Sequence, residues 1–222
     1  LLAAQIVKMT LNTDSSKLNL IVSMSPEGKN SQLLAQVFPT RGVAQGSRQP
    51  EVTQPTATDS LRLPLGTPVQ FQVSNQESSD LYLSLLVIDP TGEMTVIFPN
   101  NWTAAEEATR VGAGQTIQIP DPNRDSFQLV TQEPKGMVEV LILASRTPIK
   151  QAVKGLQAIA TKSGQGRGPV ILTDPIEIVE DLLDDLNEGA RTRGATSRGL
   201  SAVARLIDTT QLATMSITFE VI

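Results

Sequence analysis

Cysteine and histidine are both absent from the 222 residues. Their absence removes Cys–His and Ser–His–Asp arrangements and any thiolate or imidazole metal site. Disulfides are excluded too, so cysteine usage carries no mark of the redox compartment. Aromatic side chains make up only 3% of the chain, too few for platforms that stack bases or sugars. Basic residues are outnumbered, 18 against 23 acidic, for a net charge of −5. That balance argues against nucleic acid as a partner, which needs a concentrated basic surface. No apolar run approaches the ~20 residues of a membrane span. A chain of this length buries roughly 70–75% of its unfolded surface and needs no staples. The remainder reads as a globular domain that implies no cofactor and lacks the means of a self-sufficient enzyme.

The chain opens on Leu1, and residues 1–12 have no signal-peptide pattern, so it reads as a piece of a longer parent. Apolar runs at Ile6–Leu11 and Leu18–Met24 flank a polar turn cluster at Asn12–Ser16. Ser25-Pro26-Glu27-Gly28 is a turn tetrad leading into Leu33–Phe38, which makes Leu18–Phe38 a hairpin. Residues 40–58 hold Pro50 and Pro55 and hardly an apolar side chain; they read as a linker or exposed loop. Val69-Gln70-Phe71-Gln72-Val73 alternates apolar with polar, placing Val69, Phe71 and Val73 on one buried face. Leu81–Ile88 and Met94–Phe98 flank Asp89-Pro90-Thr91-Gly92, the turn chemistry of a bulged hairpin. Because Leu85–Ile88 is apolar on both faces, that strand is expected to be central and covered on both sides. Thr116–Ile119, Phe127–Val130, Val138–Ala144 and the closing Thr218–Val221 continue the series, with Glu133–Gly136 as another turn. Thr103–Arg110 has room for a helical turn or two, with Thr103 as cap and Glu106 three places on.

Before the last strand the period changes. Pro148 stands where the first helical position belongs, and Ile149, Val153, Leu156 and Ile159 repeat at helical spacing. After a Gly-rich break at 162–168, Asp174-Pro175-Ile176-Glu177 is a helix start signal, Ile176, Val179, Leu183 and Leu186 line one face, and Gly189 stops the helix. A weaker third helix spans 200–207. The expected fold is mainly β (α+β): an antiparallel β-sandwich, immunoglobulin-like in character, with a two- or three-helix insertion before its final strand. Its segments are 1–39 (strands and hairpin after an absent upstream domain), 40–58 (linker), 59–146 (sandwich core), 147–210 (helical insertion) and 211–222 (closing strand).

The order of these motifs is itself informative: Val69–Val73, then Leu81–Gly92, then Val96-Ile97-Phe98-Pro99-Asn100, a Gly-x-x-x-x-Ile-Pro strand at Gly114–Pro120, and Gly136–Ser145. It resembles a bacterial domain of unknown function found fused to caspase-like peptidases and, elsewhere, to kinase and other signalling domains. The tail, with its helix after Pro148, its acidic helix from Pro175 and its closing Gln211–Phe219, resembles the C-terminal half of bacterial caspase-like proteins of the metacaspase or orthocaspase type. The Val7–Leu20 stretch is similar to the segment just after their peptidase domain. In such proteins the catalytic His and Cys lie upstream, so the resemblance carries no catalytic residue onto this chain. It implies a noncatalytic accessory region whose partner is the upstream peptidase domain or another protein.

Three constellations stand out beside it. The acidic helix places Glu180, Asp181, Asp184, Asp185 and Glu188 opposite its apolar stripe, a candidate partner face or a plainly solvated one. Asp121, Asn123 and Asp125 are spaced two apart like calcium ligands, but the loop lacks the sixth-place Gly and the twelfth-place Glu, which leaves an Asx-rich turn as the plainer alternative. The small, polar, basic stretch 189–199 offers Arg191, Arg193 and Arg198, either a connector or, given the basic cleavage preference that the resemblance implies, a processing loop. Trp102 reads as a core or a rim residue. As functions, a binding or regulatory module stands beside an oligomerising structural module and a carboxylate-dependent hydrolase built on acids such as Asp80, Asp89, Glu93 or Asp125.

Overall fold

The computed structural model describes residues 18–28, 33–37, 61–164, 166–178, 180, 181, 185 and 212–222. The strands are β1 (Leu20–Pro26), β2 (Ala35–Val37), β3 (Arg62–Leu63), β4 (Pro68–Asn75), β5 (Leu81–Ile88), β6 (Met94–Phe98), β7 (Arg110–Val111), β8 (Thr116–Ile119), β9 (Leu129–Val130), β10 (Gly136–Ser145), β11 (Val170–Ile171) and β12 (Leu212–Val221). The helices are α1 (Ala105–Ala108) and α2 (Lys150–Lys162), and residues 175–178, 180, 181 and 185 among those described are helical as well. One sheet has the order β2-β1-β4-β8, with β9 also on β4; the other runs β11-β6-β5-β10-β12-β3, with β7 on β5. Pairing is antiparallel except between β12 and β3. The chain is a mainly antiparallel β-sandwich, as the alternation predicts.

Register follows from which face is apolar, since a one-residue slip would turn every side chain over. The predicted hairpin forms, with Val22 opposite Val37 and Met24 opposite Ala35. Residues Leu20, Val22 and Met24 of β1 and Val69, Phe71 and Val73 of β4 meet Leu83, Leu85, Val140, Ile142, Ile217 and Phe219 of the second sheet. Full burial of each such aliphatic or aromatic side chain contributes about 1.5–3 kcal/mol. β5 lies between β6 and β10, and its other face, through Leu86 and Ile88, belongs to a second cluster. That cluster joins Leu141 and Leu143 of β10 to Trp102 and to Ile149, Val153, Leu156 and Ala160 on or just before α2. The central, doubly covered strand is therefore where the sequence places it. At the β5–β6 hairpin, the Asp89 Oδ1 accepts from the Thr91 N–H (2.9 Å) and hydroxyl (2.7 Å) and the Glu93 N–H (2.8 Å), and Gly92 takes φ +90°.

The expected start at Asp174–Glu177 forms, with residues 175–178 helical and the Glu177 N–H donating to Asp174 Oδ1 at 3.3 Å, whereas the two earlier helical starts differ from expectation. Thr103 caps nothing: its hydroxyl donates to Asn101 Oδ1 at 2.7 Å, residues Trp102–Ala104 form a 3₁₀ turn, and Ala104 takes the cap position of α1. Pro148 lies two residues before α2, whose cap position is Ile149 and whose own flank supplies no side-chain acceptor. The free amides of that first turn find their acceptor elsewhere. The expected strand at Phe127–Val130 shrinks to β9, because residues 121–125 close on themselves as a turn. The strand expected at Ile6–Leu11, the 40–58 linker and the third helix over 200–207 lie outside the described residues.

Candidate functional site

Where β9 is only two residues long, the sheets are not closed against each other. β8 covers β4 from Phe71 to Ser74 and β9 covers only Pro68 and Val69. The result is a cleft of about 300 Å³, at the lower end of ligand-pocket sizes. Its floor is apolar: Val69 and Phe71 from one sheet, Val87, Ile97, Val140 and Phe219 from the other. One wall is residues 128–134, the other the Asp89–Glu93 hairpin with Thr95 and Pro169. The two turns at this end touch, since a Cβ on Gly136 would stand 3.1 Å from the Pro90 Cβ, and Gly136 itself sits at φ +133°. Glycine is needed there both for space and for backbone conformation.

Among the described residues, the lining carries three carboxylates, Asp89, Glu93 and Glu133, and no Lys or Arg. Burial pushes the Asp89 carboxyl up, but the Thr91 hydroxyl and the amides of Glu93, Thr91 and Gly92 outweigh it, holding Asp89 below the usual carboxylate range. It is an ionised turn residue, not a proton donor. The Glu133 Oε2 accepts the Lys135 N–H at 3.0 Å. Of the other candidate acids, Asp80 and Asp125 are not among the lining residues. Asp80 and Asp89 lie at opposite ends of β5, about 30 Å apart at ~3.3 Å per residue, far beyond the ~5–10 Å of a carboxylate pair. Asp80 is held by the Arg110 guanidinium at 2.6 Å, which keeps its carboxyl low.

The residues singled out for calcium are a tether. Asp125 Oδ2 accepts from Asn100 Nδ2 and from the Asp121 N–H, both at 2.8 Å. Its Oδ1 faces Arg167 Nη1 at 3.1 Å, and the Asp125 side chain is 3% exposed. The Asn123 N–H donates to Asp121 Oδ1 at 2.9 Å, the mark of an Asx turn. Donors thus occupy both Asp125 oxygens. Among the described residues no group of three or more acidic side chains is arranged to hold a metal ion. Nearby, the Trp102 indole N–H donates to Gly168 O at 2.8 Å and Gln157 Nε2 to Trp102 O at 2.8 Å, so Trp102 is a core residue.

The acidic face requires a correction. Glu180 is exposed, but Asp185 is 5% exposed and points inward. Its Oδ2 accepts the Gln151 N–H at 2.7 Å and the Ala152 N–H at 3.0 Å, the first turn of α2. A carboxylate at a helix N-terminus satisfies free amides and the dipole together. Burial nevertheless raises its pKa, against those amide bonds, with Asp181 adding to the rise. Of the expected stripe only Ile176 is among the described residues, and it is 42% exposed while Ile178 is 7% exposed; Val179, Leu183 and Leu186 lie outside them. The reason lies on α2. Gly155 opens a notch there, and a Cβ would come within 2.6 Å of Ile178 Cδ1 and 3.3 Å of Asp181 Oδ2. Asp184, Glu188, Arg191, Arg193 and Arg198 lie outside the described residues.

Asp125, Asp185 and Gly155 thus hold segments together in ways that local spacing does not announce. A glycine in mid-helix is the one available signal for a crossing helix. The cleft is hidden from the sequence because its walls come from strands and turns far apart in the chain.

Residues 62–148 match the model of a domain of unknown function, DUF4384. No curated protein matches the chain. Among solved structures it is similar to WR4, a C. elegans MSP family member, at 12% identity over 50% of this chain and 84% of that one, with a TM-score of 0.26. At that score the fold assignment rests on the sheets themselves. No helix among the described residues is long and apolar enough to cross a membrane.

Proposed function

We propose that the chain is a noncatalytic accessory module of a larger, bacterial caspase-like protease, holding a partner in the cleft between its sheets. The observation that carries this reading is the cleft itself: an apolar floor built by both sheets, beside an Asp89 carboxylate that its own turn holds ionised. The partner is the upstream peptidase domain or another protein. The motif order through Gly136–Ser145, and the DUF4384 match over 62–148, support the accessory role. An oligomerising module has less support, because a second copy would bring a further net charge of −5 to a cleft that already carries Asp89, Glu93 and Glu133.

Methyl-labelled full-length chain titrated with small apolar fragments should show shifts at Val87, Val140 and Val138, while peptide, ester, glycoside and phosphate substrates turn over at background rate. Fragments that leave those methyls unmoved would remove the binding reading. The reading frame upstream of Leu1 should encode a Cys–His pair; a frame without one would sink the protease connection. The processing role of Arg191, Arg193 and Arg198 is tested by limited proteolysis with an Arg-specific enzyme, with Arg41 and Arg48 as the competing first cuts. First cuts after Arg62, Arg110 or Arg146 would place the susceptible segment elsewhere.

A further inference from the structure

Among the described residues, β9 pairs with β4 alone, so one wall of the cleft ends in a strand edge without a partner strand. Thr131 uses its backbone on the β4 side: its N–H donates to Thr67 O at 3.0 Å and its carbonyl accepts the Gly66 N–H at 2.9 Å. Partners in an antiparallel ladder alternate between bonded and non-bonded pairs. Val130, opposite Pro68, occupies the non-bonded position, and Pro68 has no N–H to offer in any case. The Val130 N–H and C=O therefore point away from β4. An extended segment laid along that edge would send every second side chain toward the cleft floor.

The rim says what that segment carries. Glu93 and Glu133 stand on the two turns at one end of the cleft, with no Lys or Arg among its described lining residues. A second copy of this chain, with its net charge of −5, would bring more negative charge to an acidic rim. We propose that the cleft binds one extended peptide segment by strand addition to β9, with an aliphatic side chain on the floor and a lysine or arginine beside Glu93 and Glu133. This deepens the binding reading above and rests on it.

The test uses the intact chain, labelled with ¹⁵N, and two capped hexapeptides in which isoleucine alternates with threonine. One peptide ends in two lysines and the other in two glutamates. The lysine peptide should shift the amides of residues 128–132 and 93–97 and bind at least about tenfold more tightly than the glutamate peptide, since like charge at a rim opposes association. Raising the salt should narrow that gap. Glu93→Gln with Glu133→Gln should bring the two affinities within about threefold, as expected for exposed ion pairs. Val130→Pro removes the outward N–H at an edge position where proline is tolerated. It should abolish binding of both peptides while apolar fragments still shift the Val140 methyls.

Equal binding of both peptides by the parent chain would overturn the charge rule, and binding unaffected by Val130→Pro would overturn strand addition. If fragments shift the cleft methyls but neither peptide binds, the inference fails and the binding reading stands. If fragments fail as well, both fall. Shifts at 128–132 that appear on concentrating the chain alone would assign the edge to a second copy and overturn the proposal.

Discussion

Strand β10 sends Val138, Val140, Ile142 and Ala144 to one face and Leu141 and Leu143 to the other, and the two faces are covered by unlike means. On the first, a second sheet lies over it, and period-2 alternation specifies the contact residue by residue. On the second, α2 and the residues around Trp102 and Ile178 form an irregular layer. Polar tethers hold that layer in place: Asp125 joins the 121–125 turn to Asn100 and Arg167, Trp102 bonds to Gly168, and Asp185 caps α2 from 33 or 34 residues away. An alternating core tolerates no local opening without losing register. A tethered layer has a few polar bonds whose loss frees one segment at a time.

The sheet-on-sheet face should respond to truncation as one unit. Phe71 and Phe219 are 2% and 5% exposed, and truncating either to Ala should cost about 3–5 kcal/mol. Chemical denaturation should shift as one transition, and amide protection should fall together in β4, β10 and β12. A loss confined to one strand would show that the two sheets do not unfold as a unit.

Next comes Asp125→Ala, which strips acceptors from the Asn100 amide, the Asp121 N–H and Arg167. Leaving a buried donor unsatisfied costs about 1–3 kcal/mol. Hydrogen exchange should speed up at 99–104 and 166–168, while β10 and β12 keep protection relative to the global stability. Uniform acceleration across both layers would mean that the tether holds the sandwich too.

These cases also show what is legible in a sequence. The alternation at Val69–Val73 and the Asp89–Gly92 turn are local, so composition and period name them correctly. The face of the 175–185 segment is not local. Hydrophobic spacing puts Ile176 on the buried face and Asp185 on the outer one, because an acidic residue is assigned outward by default; yet a carboxylate is what an uncapped helix start needs, and the need belongs to α2. The cleft is illegible for a similar reason, since it results from a strand being shorter than its apolar pattern suggests. A turn with satisfied carboxylates and a calcium loop share their spacing, and only the donors around Asp125 separate them.

Asp185 gives the third prediction, with a sign attached. Asp185→Ala removes both amide bonds and should cost about 0.5–2 kcal/mol, the range of a lost helix cap. Asp185→Asn keeps an acceptor oxygen and loses the charge. Because burial raises this carboxyl in the folded state, the folded form takes up its proton before the unfolded form does. Its contribution therefore falls as pH rises from about 3.9, the unfolded value, through the folded value, and stays at its least favourable level above that. Asp185→Asn should remove that part of the slope, so that the variant gains on the parent chain with rising pH across this acid window. A difference that runs the other way would mean that the amide bonds, not burial, govern the group.

The smallest expected effect is at Gly155, and it probes the helix contact itself. Placing Ala in mid-helix gains about 0.8–1 kcal/mol of propensity. Against this, the new Cβ would meet Ile178 Cδ1 at 2.6 Å, and Cδ1 is the flexible end of a side chain that can rotate away at about 0.5–1.5 kcal/mol. The two terms nearly cancel, so Gly155→Ala alone should change stability by less than about 1 kcal/mol. The informative quantity is the coupling. Ile178→Val deletes the clashing methyl and by itself should cost about 0.5–1.5 kcal/mol. In the Gly155→Ala background the same deletion relieves the contact, so its cost should shrink by at least about 0.5 kcal/mol, the size of coupling between touching residues. Denaturation of the four chains of the cycle decides it. Strict additivity would mean that Ile178 does not pack over the Gly155 notch, and the burial of Ile178 and Asp185 beside an exposed Ile176 would lose its cause.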